Sequence, residues 1–310
     1  QPRRQRQMCI RDSTWMWNNR THGELKWTTI ETEHFNIHYH QNLDKIALQG
    51  ASIAEQIRPT LMKQMGLEFL PTLDIIFTAE DEVLNGFAVP ANYTIIWVDQ
   101  NDAALWTGDE KWLRTVLAHE LQHLVYFNTV KGPWWLPEPM NSLVHGTPAW
   151  IVEGIAEYFT EEWRPFRYEL SHRYHVLRNT VHKIQDPHND GYSKSLYLAD
   201  RFGDSTISKI LNHRNKFKFL DFKESFKKHT GITLKQFNED WRRQMNTFYF
   251  SQRSQKERLE DAGVIRKLPI KRVLSFDYFS DTSRIAMITR LSKGQYDLSL
   301  VVATRDTVKE

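Results

Sequence analysis

Cysteine is nearly absent from this 310-residue sequence, which contains only Cys9. The surrounding stretch MCIRDS (8–13) resembles the translation of a transposase sequencing adapter. We therefore interpret residues 1–13 as an adapter scar and exclude them from reasoning about the fold; a disordered basic N-terminus is the alternative. The remaining chain then has no cysteine, which excludes a disulfide framework and thiol catalysis.

Excess charge and long hydrophobic runs are lacking as well. The sequence has 41 Lys and Arg against 38 Asp and Glu, a net charge of +3, and residues 1–13 carry all of this excess. Residues 14–310 are thus neutral overall, which gives no argument for nucleic acid as a partner. No apolar run approaches the roughly 20 residues of a membrane-spanning helix. A signal peptide is not excluded, because we expect the natural N-terminus to be missing.

The first part of the chain predicts strands and one helix. HFNIHYH (34–40) alternates apolar residues with histidines and predicts a half-buried strand, whose histidine row we interpret as a solvated face rather than as metal ligands. A helix is predicted at about 42–65, ending near Gly66, followed by strands at 73–78 and 94–99.

The pattern becomes mainly helical at Thr107, where TGDE (107–110) has the form of a capping box. The helix that begins there runs through LAHELQHLV (117–125). Later helices are predicted at about 165–182, 193–202, 205–213, 219–229 and 234–250. After a charged stretch, segments 283–290 and 296–303 predict a strand pair.

LAHELQHLV contains the pattern H-E-x-x-H. Residues four apart lie on the same face of a helix, so His119 and His123 can bind one metal ion. Glu120 follows the first histidine and can reach a water molecule on that ion without being a ligand. The alternative is an amphipathic helix that carries two histidines by chance, because a catalytic zinc site needs a third protein ligand.

TPAWIVEGIAEY (147–158) contains a candidate for that ligand. Thr147 and Pro148 are a typical N-cap and first residue of a helix, and Glu153 and Glu157 lie four apart on one face. The 30 positions after His123 leave room for a loop and a returning helix, so Glu153 can complete a His-His-Glu ligand set. Glu157 can then accept a hydrogen bond from the second ring nitrogen of a ligand histidine.

TVLAHELQHLV and PAWIVEGIAEYF together resemble the gluzincins, the thermolysin-like zinc metallopeptidases of the peptidase MA clan. They resemble more closely the bacterial peptidase MA-like proteins that carry a TolB-like β-propeller, and weaker similarity extends over about 25–310. The resemblance implies an α+β fold over residues 14–266, with an N-terminal α/β lobe and a C-terminal helical lobe. Residues 267–310 would then be the first strands of an incomplete propeller, and the protein would be exported, periplasmic or outer-membrane-associated.

Carried over to matching positions, the resemblance implies Zn²⁺ as the cofactor, with His119, His123 and Glu153 as ligands and Glu120 as the general base. Gluzincins also use a tyrosine or histidine to stabilise the oxyanion. Tyr192, just before the predicted helix at 193–202, is our first candidate for this role. The alternatives are Tyr197, His172 and His175.

The implied partner is a peptide or protein substrate, held extended against an exposed strand edge. We expect this edge in YTIIWVD (93–99) or in a partner strand around residues 86–89. No G-x-M-E-N segment precedes the helix that contains His119 and His123. Relatives that bind the free N-terminus of a substrate carry this glutamate-containing signature, so its absence favours an endopeptidase over an aminopeptidase. The alternative function is a non-proteolytic zinc module that binds a protein partner through the β-propeller.

Two aromatic segments lie outside this chemistry. Trp134 and Trp135 can contact a substrate or a lipid surface, but we expect them to pack the Pro-rich loop against the protein, because Trp is mostly buried in folded proteins. The segment 213–229 interleaves basic and aromatic residues, as single-strand nucleic-acid binders do. We interpret it as an amphipathic helix with a solvated lysine face.

Overall fold

The computed structural model of the chain describes residues 24–80, 85–98, 111–160, 166–181, 187–257, 261, 272–279, 284–290, 298–304 and 308–309. The chain divides into two compact units, Gln1–Phe250 and Ser251–Glu310. The fold is mixed α+β with open sheets, which agrees with the predicted class at that level. The predicted domain boundary after residue 266 and the predicted capping box at 107–110 lie outside the described residues.

The first unit contains a five-stranded sheet in the order β1-β2-β3-β5-β4. Its strands are β1 Trp27–Glu31, β2 Phe35–His40, β3 Leu73–Thr78, β4 Asn85–Val89 and β5 Tyr93–Trp97. The central strands β2, β3 and β5 are parallel, whereas β1 and β4 pair antiparallel at the two edges. The apolar runs of β3 and β5 suit this central position, because such strands are covered on both faces.

One helix of this unit lies between the second and third strands, and the others follow the fifth strand. The helices are α1 Asp44–Met65, α2 Lys111–Val130, α3 Glu138–His145, α4 Ala149–Thr160, α5 Phe166–Leu177, α6 Pro187–Phe202, α7 Ser205–Asn212, α8 Phe222–Thr230 and α9 Leu234–Ser254. The apolar sides of α1, α2 and α4 share one core with the sheet. Among the described residues, no helix has both the length and the apolar character that crossing a bilayer requires.

Several local predictions are confirmed. Helix α1 ends at Gly66, which has a left-handed φ of 66° that suits glycine. At the start of α9, Thr233 and Gln236 form the predicted capping box: the Thr233 N–H donates to Gln236 Oε1 (2.8 Å), and the Gln236 N–H donates to Thr233 Oγ1 (3.2 Å). The amphipathic helix predicted over 213–229 is confirmed only in its second part: α8 buries Phe222 and Phe226 and exposes its lysines, whereas residues 213–221 are not helical.

Two helices differ from the sequence predictions. Helix α6 begins at Pro187 rather than at residue 193, because proline is favoured in the first turn, where its missing N–H costs no hydrogen bond. The Pro-rich connection between α2 and α4 contains a further helix, α3, which the sequence did not predict.

The loop before α3 also differs from expectation. Trp134 is 97 % exposed and Trp135 51 % exposed, so the prediction that they pack the loop down is wrong. The loop is held instead by Asn141, a fully buried residue whose amide donates to the carbonyl of Val130 at the end of α2 (3.2 Å).

Strand β2 shows the predicted alternation, with its aromatic and aliphatic residues buried. The ring of His34 lies 2.7 Å from the Glu55 carboxylate and that of His38 lies 3.1 Å from Asp74. His40 is only 4 % exposed, and its Nε2 accepts a hydrogen bond from the backbone N–H that follows β3 (3.0 Å). The solvated histidine row therefore does not extend to His40.

The second unit contains a four-stranded antiparallel sheet in the order β6-β7-β8-β9. Its strands are β6 Arg272–Tyr278, β7 Arg284–Arg290, β8 Ser299–Thr304 and β9 Val308–Lys309. Strands β7 and β8 correspond to the predicted pair. The sheet is open, and the β-propeller stays a prediction from the sequence resemblance.

Candidate metal centre

Helix α2 presents three of the predicted site residues. Its apolar positions, spaced by three and four, are buried in the core, as an amphipathic helix requires. This leaves His119 and His123 together on another face, where their Nε2 atoms lie 3.1 Å apart. The i, i+4 spacing accounts for this closeness, because one helical turn is 3.6 residues.

Glu153 of α4 completes a group of three possible ligands. Its Oε2 lies 3.3 Å from His123 Nε2 and 3.6 Å from His119 Nε2. In a tetrahedral zinc site with bonds of about 2.0–2.1 Å, neighbouring ligand atoms are separated by roughly 3.3–3.4 Å. The three atoms therefore have the mutual spacing that one cation of this size requires.

The carboxylate of Glu153 also has the electrostatic character of a metal ligand. Its Oε2 is buried and has no hydrogen-bond partner. Burial alone raises the pKa of a carboxyl group, but the neighbouring imidazoles of His119, His123 and His188 outweigh this effect and hold the pKa of Glu153 well below its usual range. A buried, charged oxygen without a hydrogen bond is costly in isolation, so the residues present fit a bound cation.

Glu120 lies beside this group and packs against the edge strand β4. A Cβ atom placed on Gly86 would lie 2.5 Å from Glu120 Cγ, so the side chain has room only because residue 86 is glycine. The backbone N–H of Ala88 donates to the carboxylate. Burial raises the pKa of Glu120 to about 7, an effect that nearby His119 opposes and Glu153 reinforces.

Glu157, one turn after Glu153, is 1 % exposed. Its Oε1 lies 3.9 Å from His119 Nδ1, beyond hydrogen-bond length. The close contact of Glu157 is instead with His188, whose Nδ1 lies 2.8 Å away and donates to the carboxylate. His188 Nδ1 also lies 3.4 Å from Glu153 Oε2. His188 is absent from the site predicted from the sequence; its position directly after Pro187, a favoured helix start, is the only local signal for it.

A close helix crossing brings His188 to this place. A Cβ atom on Gly154 of α4 would lie 2.4 Å from the carbonyl carbon of Gly191 in α6, and one on Gly191 would lie 2.3 Å from the carbonyl oxygen of Trp150. Only glycine at both positions allows this approach. The first turn of α6 then lies beside Glu157. The ring of His188 stacks on that of His119 in α2, with the two ring centroids 5.9 Å apart.

The candidates for oxyanion stabilisation lie on α5 and α6. Tyr192 is inside α6 rather than before a helix and is 2 % exposed, with its ring centroid 6.5 Å from that of Tyr158. A side chain so buried reaches a substrate only if its surroundings move, so this role stays a prediction. The alternatives have the following contacts: Tyr197 accepts from Arg201, His172 lies edge-on to Trp241, and His175 contacts Thr180.

The order of the strands determines which one forms the sheet edge beside α2. Strand β5 pairs with β3 on one side and with β4 on the other, so YTIIWVD is not an edge, contrary to one of the two expectations. Strand β4, the predicted partner around residues 86–89, forms the edge of the described sheet. It also contains Gly86, which contacts Glu120.

The sequence matches no protein-family model and no curated protein. Among solved structures, similarity is found to the aminopeptidase N family protein of Idiomarina loihiensis, with a TM-score of 0.42 and 13 % sequence identity. The match covers 71 % of this chain and 46 % of that protein, so this chain spans less than half of its length.

Proposed function

We propose that this protein hydrolyses peptide bonds with a zinc ion held by His119, His123 and Glu153. The observation that supports the proposal is the mutual distance of 3.1–3.6 Å among two imidazole nitrogens and one buried carboxylate oxygen. Zinc accepts nitrogen and oxygen ligands of this kind, and three protein ligands leave one position for water or substrate.

When held by these residues, a zinc ion would supply an activated water nucleophile and Lewis-acid polarisation of the scissile carbonyl. Glu120 takes the proton of the attacking water and delivers it to the leaving amine. Two features support this role: its carboxylate adjoins the ligand group, and its pKa of about 7 suits a base that works near neutral pH. Glu120 is buried, which keeps bulk water from competing for its proton.

We also propose that the substrate binds as an extended chain along β4. The edge of a sheet presents backbone N–H and C=O groups that can pair with a peptide. Because β4 packs beside Glu120 through Gly86, a peptide on this edge would pass the proposed base. Recognition through the backbone reads few side chains, which suits an endopeptidase.

Replacing Glu120 with glutamine tests the proposal. We expect Glu120→Gln to lower the turnover of a quenched peptide or casein by about 10²–10⁴-fold, the usual contribution of a general base, while zinc content stays unchanged. The control is Glu68→Gln, which alters an exposed glutamate after α1 and should change neither quantity. Unchanged turnover in Glu120→Gln would reject Glu120 as the base. Zinc binding by a wild-type protein that hydrolyses no peptide would favour the non-proteolytic module.

Export of the protein and a protein partner for a β-propeller that begins near residue 267 belong to the same proposal. Both rest on the sequence resemblance. The four-stranded antiparallel sheet in Ser251–Glu310 is compatible with a propeller blade.

A further inference from the structure

We propose that His188 is a positioning residue of the metal site. It fixes the carboxylate of Glu157 next to the ring of His119 and also adjoins the carboxylate of the proposed ligand Glu153. The inference rests on the proposed function, because it takes the ion to be bound by His119, His123 and Glu153.

The carboxylate of Glu157 lies closer to His188 than to His119. Its Oε1 lies 2.8 Å from His188 Nδ1 but 3.9 Å from His119 Nδ1. The first distance is a charge-assisted hydrogen bond, and the second is too long for one. Glu157 is therefore hydrogen-bonded from the side of α6 by His188 and not by His119.

The burial of Glu157 makes this contact important. A carboxylate that is 1 % exposed has lost most of its hydration and needs donors within the protein. His188 is 48 % exposed at its side chain, so its ring lies between the solvent and the buried carboxylate. Without His188, the Glu157 carboxylate would turn toward another donor, and its position beside His119 would change.

The same nitrogen of His188 lies 3.4 Å from Glu153 Oε2. One imidazole on α6 thus adjoins both glutamates of α4, the proposed ligand and the outer carboxylate. Since Gly154 and Gly191 set the separation of these two helices, the position of His188 is determined by backbone packing. This is the rigid support that a group acting on metal ligands requires.

A direct metal-binding role for His188 is the competing explanation. His119, Glu157 and His188 also have ligand atoms within 4.8 Å of one another, so they form a second possible group. Binding of two zinc ions per chain, with the second lost in His188→Asn, would overturn the positioning role. A stoichiometry of one supports it.

Three substitutions at residue 188 separate the contributions of its ring nitrogens. In His188→Asn the side-chain amide nitrogen takes the place of Nδ1, whereas in His188→Gln it takes the place of Nε2. We expect His188→Ala and His188→Gln to weaken zinc binding by about 10–100-fold, as loss of outer hydrogen bonds to metal ligands does. His188→Asn should stay close to the wild-type affinity. The dissociation constant is measured by competition with a chromophoric chelator.

A second background tests whether His188 acts through Glu157. In a Glu157→Gln protein, His188→Ala should cause little further loss of zinc affinity, because residues that act through one another are not additive. Equal affinity of all four residue-188 forms, full additivity with Glu157→Gln, or rescue by Gln and not by Asn would each overturn the proposal. The absorption spectrum of the Co²⁺-loaded protein gives an independent signature, since a change in ligand orientation alters it.

These readouts do not depend on catalysis. A wild-type protein that binds one zinc ion but hydrolyses no peptide would reject the proposed peptidase and leave the His188 experiment valid. Conversely, a peptidase whose zinc affinity is unaffected by His188→Ala would reject only the present inference. Circular dichroism of each metal-free variant checks its folding, and the Asn and Gln variants still decide the question if the alanine variant does not fold.

Discussion

The carboxyl groups of Glu120 and Glu153 adjoin the same candidate metal centre, yet their pKa values move in opposite directions. Both are desolvated, which favours the neutral acid. At Glu120 this effect prevails and raises the pKa to about 7, whereas the imidazoles around Glu153 outweigh it and lower the pKa. One carboxyl group is thereby suited to carry a proton and the other to remain a charged ligand.

The closeness of Gly86 to Glu120 leads to a prediction about catalysis. In Gly86→Ala, the new Cβ atom would overlap Glu120 Cγ and force the side chain to move. We expect kcat for peptide hydrolysis to fall by about 10–100-fold, as small displacements of catalytic groups do, while zinc affinity changes little. Ala91→Ser, in the exposed turn after β4, is the control. A kcat that is equal in both variants would contradict the proposed position of the base.

Asp74 provides a prediction about stability and pH. Burial alone would raise its pKa, but hydrogen bonds from His38 and Asn36 outweigh burial, so the pKa lies below the ordinary value in the folded protein. A lowered carboxyl pKa stabilises the fold above the unfolded-state pKa of about 3.9, and this contribution is lost as pH falls through the folded-state pKa.

We therefore expect Asp74→Asn to be less stable than wild type at pH 7, and the difference to shrink below about pH 4. Because Asp74 is about a third exposed, the loss at pH 7 should be no more than about 1 kcal/mol. Urea unfolding at several pH values measures it. A difference that grows on acidification would have the wrong sign for this explanation.

At the scale of elements, the crossing of α4 and α6 determines which side chains meet at the metal centre. Gly154 and Gly191 let the two backbones approach more closely than any side chain would permit. This contact places His188 next to Glu157, although 31 positions separate them in the chain.

Replacing one glycine at the crossing should therefore affect stability and metal binding together. In Gly191→Ala, the Cβ atom would overlap the backbone of α4, and we expect a loss of about 1–3 kcal/mol in the free energy of unfolding, as overpacking typically causes. Zinc affinity should fall too, because His188 moves with α6. Asp200→Ala, on the exposed side of α6, is the control. If Gly191→Ala has the wild-type free energy of unfolding in urea and the wild-type zinc affinity in chelator competition, the two helices are not packed as closely as these distances indicate.

The connection between α2 and α4 shows how local pattern and burial can disagree. Sequence reasoning placed Trp134 against the protein because tryptophan is usually buried, yet Trp134 is exposed and Asn141 is buried. The buried amide of Asn141 satisfies the last carbonyl group of α2, so a polar side chain occupies the interior at this helix end.

On the scale of the whole molecule, the proposed ligands come from two helices that share one core with the sheet. A cation bound only by the folded chain must stabilise the entire first unit, because unfolding separates its ligands. Zinc at 100 times its dissociation constant should add about 2.7 kcal/mol. We expect a higher Tm with zinc than with a chelator, and no difference for the double variant His119→Ala, His123→Ala. An equal shift in that double variant would place the ion elsewhere.

Local periodicity alone determined a large part of this protein. The 3.6-residue repeat of a helix predicted that His119 and His123 face the same way, and the two-residue repeat of a strand predicted the buried side of β2. Gly66 and the capping box of Thr233 and Gln236 mark helix ends through local hydrogen bonds: the first by backbone to backbone, the second by backbone to side chain. These features depend on neighbours within a few positions, so the sequence contains all the information they need.

The tertiary structure alone decided which distant groups meet. It paired His188 with Glu157, buried His40, put β4 rather than β5 at the sheet edge and left Trp134 in solvent. Each of these outcomes depends on how closely two elements approach, as at Gly154 and Gly191. That approach reflects the packing free energy of the whole unit, to which a residue's immediate neighbours contribute only a small part.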